Sequence, residues 1–258
     1  MSNTFTSFFG QKLFAGTTGE ATDYFDRLIA TKHPKLIGAI NVYLLTTCYR
    51  DRQMSDLYNK FDLVTVDGRP LVYLSHIFAS VPVKEMVGGP NFWETIIRFG
   101  AEHGHNFYFL GSFPNILTKA AAKLKDRYPG LDVTGMHHGI VEDEEQFTIE
   151  VLKEIKEKKP AIIMIGMPSP IKEKLATLFR EELECGMIII IGGAFDIFAG
   201  EKKLAPHLIS ILCLEWFYRM IQEPGRLFWR YMASNLYFLY MLTTNIRIPL
   251  QKLIRKFT

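Results

Sequence analysis

Short apolar runs bounded by turn residues recur along the chain: LIGAI (36–40), LVTV (63–66), FYFLG (107–111), LDVTGM (131–136), AIIMIG (161–166) and MIIIIGG (187–193). Each is rich in Ile, Val, Leu or Phe and too short for a helix, so each reads as a buried strand. Helix-period segments separate them, at 91–104, 114–130, 143–160 and 169–186. Strands alternating with helices imply crossover connections and a mainly parallel sheet covered on both faces. The pattern therefore predicts an α/β, Rossmann-like core, its doubly wound part running from about Ala21 to Gly200. No internal repeat, low-complexity stretch or flexible linker interrupts it. The clearest change of character falls near Leu208, which divides the chain into a core (1–207) and an appendage (208–258).

Beyond that point the pattern becomes aromatic, basic and punctuated by proline. Seven Lys/Arg (Arg219, Arg226, Arg230, Arg247, Lys252, Arg255, Lys256) face two acids (Glu215, Glu223), while the whole chain is only +3. Basic residues interleaved with Trp216, Phe217, Tyr218, Phe228, Trp229 and Tyr231 suit a helix lying in a lipid headgroup layer. The competing reading is a helical pair docked on its own domain. The longest uncharged stretch, Tyr231 to Ile246, has 16 residues and contains Ser, Asn and Thr. Crossing a bilayer takes about 20 mostly apolar residues, so surface attachment is expected and insertion is not.

Composition narrows the field further. A chain of 258 residues with 48 % hydrophobic and 22 % charged positions can bury a large core and is not disordered. The N-terminus lacks the basic start and continuous apolar segment of a secretory signal, so a cytoplasmic location is expected. Cys48, Cys185 and Cys213 lie far apart with no CxxC pairing, which argues for packing roles in a reducing compartment. No metal site, cofactor or nucleic-acid partner is expected.

In doubly wound sheets ligands bind at the carboxyl ends of the strands, where helix N-termini also point toward anions. Those ends place Asn41, Asp67-Gly68, Gly111-Ser112, His137-His138-Gly139, Gly166-Met167-Pro168 and the Gly192–Asp196 turn in the search area. Glycine turns let backbone amides approach a phosphate or sugar closely. Asp67, directly after a strand, reads either as a helix N-cap or as a carboxylate that takes a proton from an attacking hydroxyl. His137 and His138, on an extended segment, are expected to point in opposite directions, with one of them meeting a ligand. Asp196 reads as a turn cap or as a contact to ribose or base. Neither GxGxxG nor GxxxxGK[ST] is present, which removes the best sequence support for nicotinamide chemistry or ATP hydrolysis.

GGAFDIFAGEKKLAP, LEWFYRMIQEPGRL, the VDG turn at 66–68, the FLG strand end and HHG at 137–139, in that order and spacing, resemble the WecG/TagA/CpsF family of bacterial glycosyltransferases. The resemblance covers about Leu36 to Tyr231. It implies inverting transfer of a sugar, typically N-acetylmannosamine or a uronic acid relative, from a UDP-sugar to a polyprenyl-diphosphate-linked saccharide. Such enzymes work at the inner membrane face in assembling common antigen, teichoic acid, capsule or exopolysaccharide. It further implies Asp67 as general base, Asn41 beside the donor, and Gly193, Phe195 and Asp196 around uridine. The tail is implied to engage the membrane, with Arg219 and Arg226 closing over the diphosphate.

Two segments depart from the family. KEMVGGPN puts Met86 and Asn91 where Arg and Asp are usual, and GMPSPIKE puts Ser169, Pro170 and Ile171 where Lys, Gln and Glu are usual. Arg69 is a candidate replacement cation. The departures keep open a weakened, donor-binding or scaffolding subunit of a polysaccharide assembly complex. A Rossmann-like enzyme for another nucleotide is disfavoured by the missing fingerprints and by the tail.

Overall fold

The computed structural model describes residues 4–31 and 33–245, so Arg247, Lys252, Arg255 and Lys256 of the basic tail lie outside the described residues. A six-stranded parallel sheet forms from β3 (Lys35–Ile40), β4 (Leu63–Val66), β5 (Asn106–Gly111), β6 (Asp132–His137), β7 (Ile162–Gly166) and β8 (Met187–Ile190), in the order β4-β3-β8-β7-β5-β6. All six predicted strands are present. The connecting helices are α1 (Thr18–Ile29), α2 (Val42–Arg50), α3 (Arg52–Asn59), α4 (Arg69–Phe78), α5 (Gly89–Glu102), α6 (Pro114–Arg127), α7 (Glu144–Lys158), α8 (Ile171–Glu182) and α9 (Ala194–Phe198).

The sheet is apolar on both faces because both are covered. Along β7 and β8 successive side chains enter opposite cores: Ile163, Ile165, Ile188 and Ile190 pack with α2, α3 and α8, and Ile162, Met164, Met187 and Ile189 with α1, α5 and α6. This explains why these segments read as unbroken hydrophobic runs instead of alternating ones. Cys48 and Cys185 are buried in the first core, and burial pushes both thiols up to about 12, which fits their packing role.

The N-terminal part of the core carries a hairpin that the hydrophobic pattern did not predict. Residues Phe5–Phe8 (β1) and Gln11–Phe14 (β2) form an antiparallel hairpin joined by Phe9 and Gly10, at φ +48° and +83°. Positive φ at both turn residues matches the twist of a two-residue hairpin. Phe8, Leu13, Phe14 and Ala15 are buried in the two cores, so the folded unit begins well before Ala21.

The chain ends in α10 (His207–Ile211), α11 (Glu215–Gln222) and α12 (Pro224–Thr244). Leu227, Tyr231, Ser234, Phe238 and Met241 recur at helical spacing on α12 and are buried, the last two in the core shared with α2. The other side of α12 exposes Trp229, Leu236, Leu239 and Tyr240. The appendage is thus docked on its own domain and also carries an unburied apolar face. No helix among the described residues is long and apolar enough to cross a membrane.

Candidate active site

Asp67 follows β4 at one edge of the sheet, its backbone N–H donating to the Ile40 carbonyl (2.9 Å). It is not a helix cap: the N-cap of α4 is Gly68, at φ +132°, and no side chain caps that helix. The Asp67 carboxylate makes no hydrogen bond or ion pair with the described residues, yet sits deep in the protein while still reaching solvent. A Gly88-Gly89 step passes beside it. A Cβ on Gly88 would lie 2.9 Å from the Asp67 Cα, and one on Gly89 3.0 Å from Oδ1. Only glycines leave that approach open.

Burial raises the Asp67 carboxyl above the ordinary aspartate range, the positive charge of Arg219 on α11 opposes the rise, and the negative charge of Glu215 adds to it. Arg219 also lies close to the Tyr231 hydroxyl of α12. The tail residue named from its motif therefore faces the carboxylate named from a turn some 150 positions earlier in the chain. Asn41, after the neighbouring strand, caps α2 by accepting from the Leu44 N–H (3.0 Å).

The middle strands end in packed glycine turns. Gly111 has φ +124°, and a Cβ there would be 2.4 Å from the Gly166 carbonyl oxygen; the Ser112 N–H donates to that same oxygen (3.2 Å). A Cβ on Gly166 would be 2.4 Å from the Phe195 ring. Phe195 is 1 % exposed and packs on Phe109 with ring centroids 5.2 Å apart. This corrects the expectation that Phe195 contacts uridine: its ring shapes the loop from beneath. Gly192, at φ +57°, and exposed Gly193 form the accessible part of that loop. Pro168 is exposed beside it and accepts from the Lys172 N–H (3.2 Å).

Asp196 is engaged on both oxygens, by Lys202 (2.6 Å) and by the Ser112 hydroxyl (3.4 Å). Lys202 continues to Glu223 (2.6 Å), which also takes Arg226 (2.6 Å). Burial works against the Glu223 charge, but hydrogen bonds from Arg226 and Lys202 outweigh it and hold the carboxyl at about 2. This chain of charges latches the appendage to the Asp196 turn. Arg226 consequently lies toward Asp196 rather than Asp67.

The histidines are not as expected. His138 lies past the end of β6, where the backbone leaves the extended path, so the two rings pack together at 4.6 Å instead of pointing apart. The His138 Nδ1 accepts from the Ile140 N–H (3.3 Å), and His137 packs on Phe147. Both sit at the sheet edge opposite Asp67, five strand spacings of roughly 4.8 Å away.

A buried polar cluster escaped the sequence reading. Glu173, fully buried in the first turn of α8, pairs with Lys172 (2.6 Å) and accepts from Tyr58 (3.3 Å) and Ser169 (2.9 Å), while Lys172 also donates to Ser169. Lys172 and Glu173 directly follow the 169–171 segment that lacks the family's Lys, Gln and Glu. Two adjacent charges on a helix look solvated in sequence, and only the packing of α3 against α8 encloses them. Arg230 stacks over Tyr43 at 4.8 Å, facing the protein. Arg69 donates from Nε to the Ser210 hydroxyl of α10 (2.9 Å).

Glycine turns and cations at the carboxyl ends of a parallel sheet, together with a carboxylate that has no hydrogen-bond or ion-pair partner among the described residues, define a Rossmann-like α/β protein able to hold an anionic ligand beside a proton acceptor. The chain belongs to the WecG/TagA/CpsF family of glycosyl transferases, whose sequence pattern matches residues 6–252. It is 25 % identical over 213 residues to the N-acetylglucosaminyldiphosphoundecaprenol N-acetyl-beta-D-mannosaminyltransferase of Bacillus subtilis (strain 168), covering 82 % of this chain and 80 % of that protein. Proteins of the same name from Staphylococcus aureus strains MW2 and NCTC 8325 are 27 % and 28 % identical over 172 residues, covering 67 % of this chain and 66 % of each relative.

Proposed function

We propose that this protein transfers an N-acetylhexosamine-type sugar from a UDP-sugar to a polyprenyl-diphosphate-linked saccharide, with inversion, during bacterial cell-surface polysaccharide synthesis. The carrying observation is the Asp67 carboxylate, without a hydrogen-bond or ion-pair partner among the described residues, flanked by a glycine pair and faced by Arg219. The names of the relatives support the substrate class: each transfers N-acetylmannosamine and names an N-acetylglucosaminyl-diphosphoundecaprenol acceptor.

In this reading the acceptor hydroxyl oxygen attacks the anomeric carbon as the bond from that carbon to the UDP oxygen breaks. The hydroxyl proton passes to Asp67, and UDP leaves with the bonding electron pair. One displacement inverts the centre and needs no covalent intermediate, so one carboxylate suffices. Burial raises the pKa of Asp67 and so makes it a stronger base than an exposed aspartate. The amides of the Gly192-Gly193 turn, with Arg219 and Arg226, supply positive potential for the departing diphosphate. No resident metal enters, and turnover that persists in EDTA checks this.

Leu208, Ile211, Leu212, Phe217, Ile221, Trp229 and Leu236 give α10–α12 an exposed apolar surface. That surface suits peripheral attachment to the inner face of an anionic membrane, where the acceptor lipid resides.

The test is turnover of a UDP-sugar panel with a short-chain polyprenyl-diphosphate N-acetylglucosamine acceptor. UDP-N-acetylmannosamine is expected to be used, and Asp67→Asn to lower kcat by about 10²–10⁴-fold. No turnover with any donor, or an unaffected Asp67→Asn variant, refutes the enzyme reading. Donor binding without turnover would instead favour the donor-binding subunit, the reading that Met86 and the altered 169–171 loop support.

A further inference from the structure

A cavity of about 500 Å³ lies between α4 and α5, and none of the glycine turns that end β5, β7 and β8 lines it. Its inner end is Gly88, which packs directly on Asp67, so the cavity adjoins the carboxylate. We propose that this cavity holds the sugar of the acceptor, and that Arg69 at its rim receives the acceptor's diphosphate; this rests on the glycosyltransferase reading above.

Three observations converge. The first is topological. β4 is an edge strand, so the loops after β8, β7 and β5 all lie on one side of Asp67, and the cavity meets Asp67 separately from them, through Gly88. An inverting displacement needs nucleophile and leaving group on opposite faces of the anomeric carbon. A donor over the glycine turns and an acceptor in the cavity satisfy that requirement with Asp67 between them.

The second is chemical. Two charged residues of the wall are already engaged by the protein: Glu85 accepts from the Thr18 N–H (2.8 Å) and hydroxyl (3.0 Å), and Lys84 pairs with Glu20 (2.8 Å). What remains to face a ligand is Tyr73, His76, Asn91 and Thr95, with Met86 as an apolar patch. Amide, hydroxyl, imidazole and one aromatic face suit a neutral sugar carrying hydroxyls and an acetamido group, not a second nucleotide. The unusual Met86 and Asn91 thereby become determinants of acceptor choice.

The third is the route to the membrane. Arg69 lines the cavity while its Nε is held by Ser210, leaving its remaining N–H groups for an anion. Beyond Ser210 the same short helix exposes Leu208, Ile211 and Leu212. Sugar in the cavity, diphosphate at Arg69 and polyprenyl chain along α10 follow one continuous path from Asp67 to lipid.

Calorimetric titration with farnesyl-diphosphate-linked N-acetylglucosamine, in the presence of UDP, tests the assignment on the full chain. Thr95→Trp, which fills the cavity, and Tyr73→Ala, at a half-exposed position that folding tolerates, should each weaken acceptor binding at least tenfold. Arg69→Gln should do the same for the diphosphate-bearing acceptor and leave free N-acetylglucosamine unaffected. UDP-N-acetylmannosamine should bind all three variants as it binds the native protein. Unchanged acceptor affinity in both cavity variants overturns the proposal, as does loss of donor affinity in its place, or no acceptor binding by the native protein. A native protein that binds acceptor through these residues but never turns over would leave this inference standing and remove the catalytic reading instead.

Discussion

Replacing Gly166 by alanine probes the contact that shapes the centre of the proposed donor loop. Gly166 does not have a positive φ, so alanine meets no backbone strain there, and any cost is steric. The new methyl would lie 2.4 and 2.7 Å from two Phe195 ring carbons and 3.1 Å from the Gly192 carbonyl oxygen. The ring has little room to retreat, since it is 1 % exposed and packed on Phe109. Overpacking of this kind costs about 1–3 kcal/mol, or roughly 2–12 °C in Tm for a chain of this size. Because the ring underlies Gly192 and Gly193, the shift should also weaken UDP binding. Thermal unfolding with calorimetric UDP titration reads both effects, and Phe195→Leu supplies the control. Alone, that change leaves a small void and costs roughly 1–2 kcal/mol; combined with Gly166→Ala, it admits the methyl. The pair should therefore be less destabilised than the sum of the singles, with a coupling of about 0.5–3 kcal/mol. Strict additivity, or a Gly166→Ala protein with native Tm, would refute the packing argument.

Other expected outcomes concern charge and surface. The acid limb of the pH–kcat profile should lie above that of an ordinary aspartate. Arg219→Gln removes the charge that opposes the rise, so the limb should move to higher pH; an unmoved or lowered limb contradicts the proximity of the two groups. Glu223 is held at about 2, so its latch contributes fully above its ordinary value of 4.5 and is lost as pH falls toward 2. The stability gap between the native protein and Glu223→Gln should accordingly be constant near neutrality and close over that acid range, as read by urea unfolding. At the exposed face, Leu236→Ser is expected to weaken binding to anionic vesicles roughly tenfold by sedimentation, without changing Tm.

Hydrophobic pattern carried the sheet well because five of its six strands, all but the edge strand β6, are buried on both faces. A run such as IIMIG has no amphipathic alternation to misread, and its turn residues mark both ends. The hairpin at 5–14 was missed because its alternation is short and its turn, Phe9-Gly10, carries an aromatic residue at positive φ where Asn or Asp is the usual signal. Of the site, motifs named Asp67 and Arg219 and the resemblance implied that the tail arginine closes over the active site, whereas the effect of their charges on one another follows from the packing of α11. Phe195 was assigned to the ligand because sequence shows membership of a loop and not which side of it a ring occupies. Lys172 and Glu173 were overlooked for the converse reason: adjacent charges suggest water, and burial beneath α3 is a tertiary event.

Local order along the chain determined the element types, the parallel α/β architecture and the set of turns that can meet a ligand, because those follow from hydrophobic period and glycine placement over a few residues. Tertiary structure alone decided which turns share a cleft. The sheet order puts β4 at the edge and the histidine turn at the far side, and the docking of α12 on α2 carries Arg219 to Asp67. Charge raised or lowered by burial, and a cavity walled by α4 and α5, exist only once residues distant in sequence exclude water from the space between them.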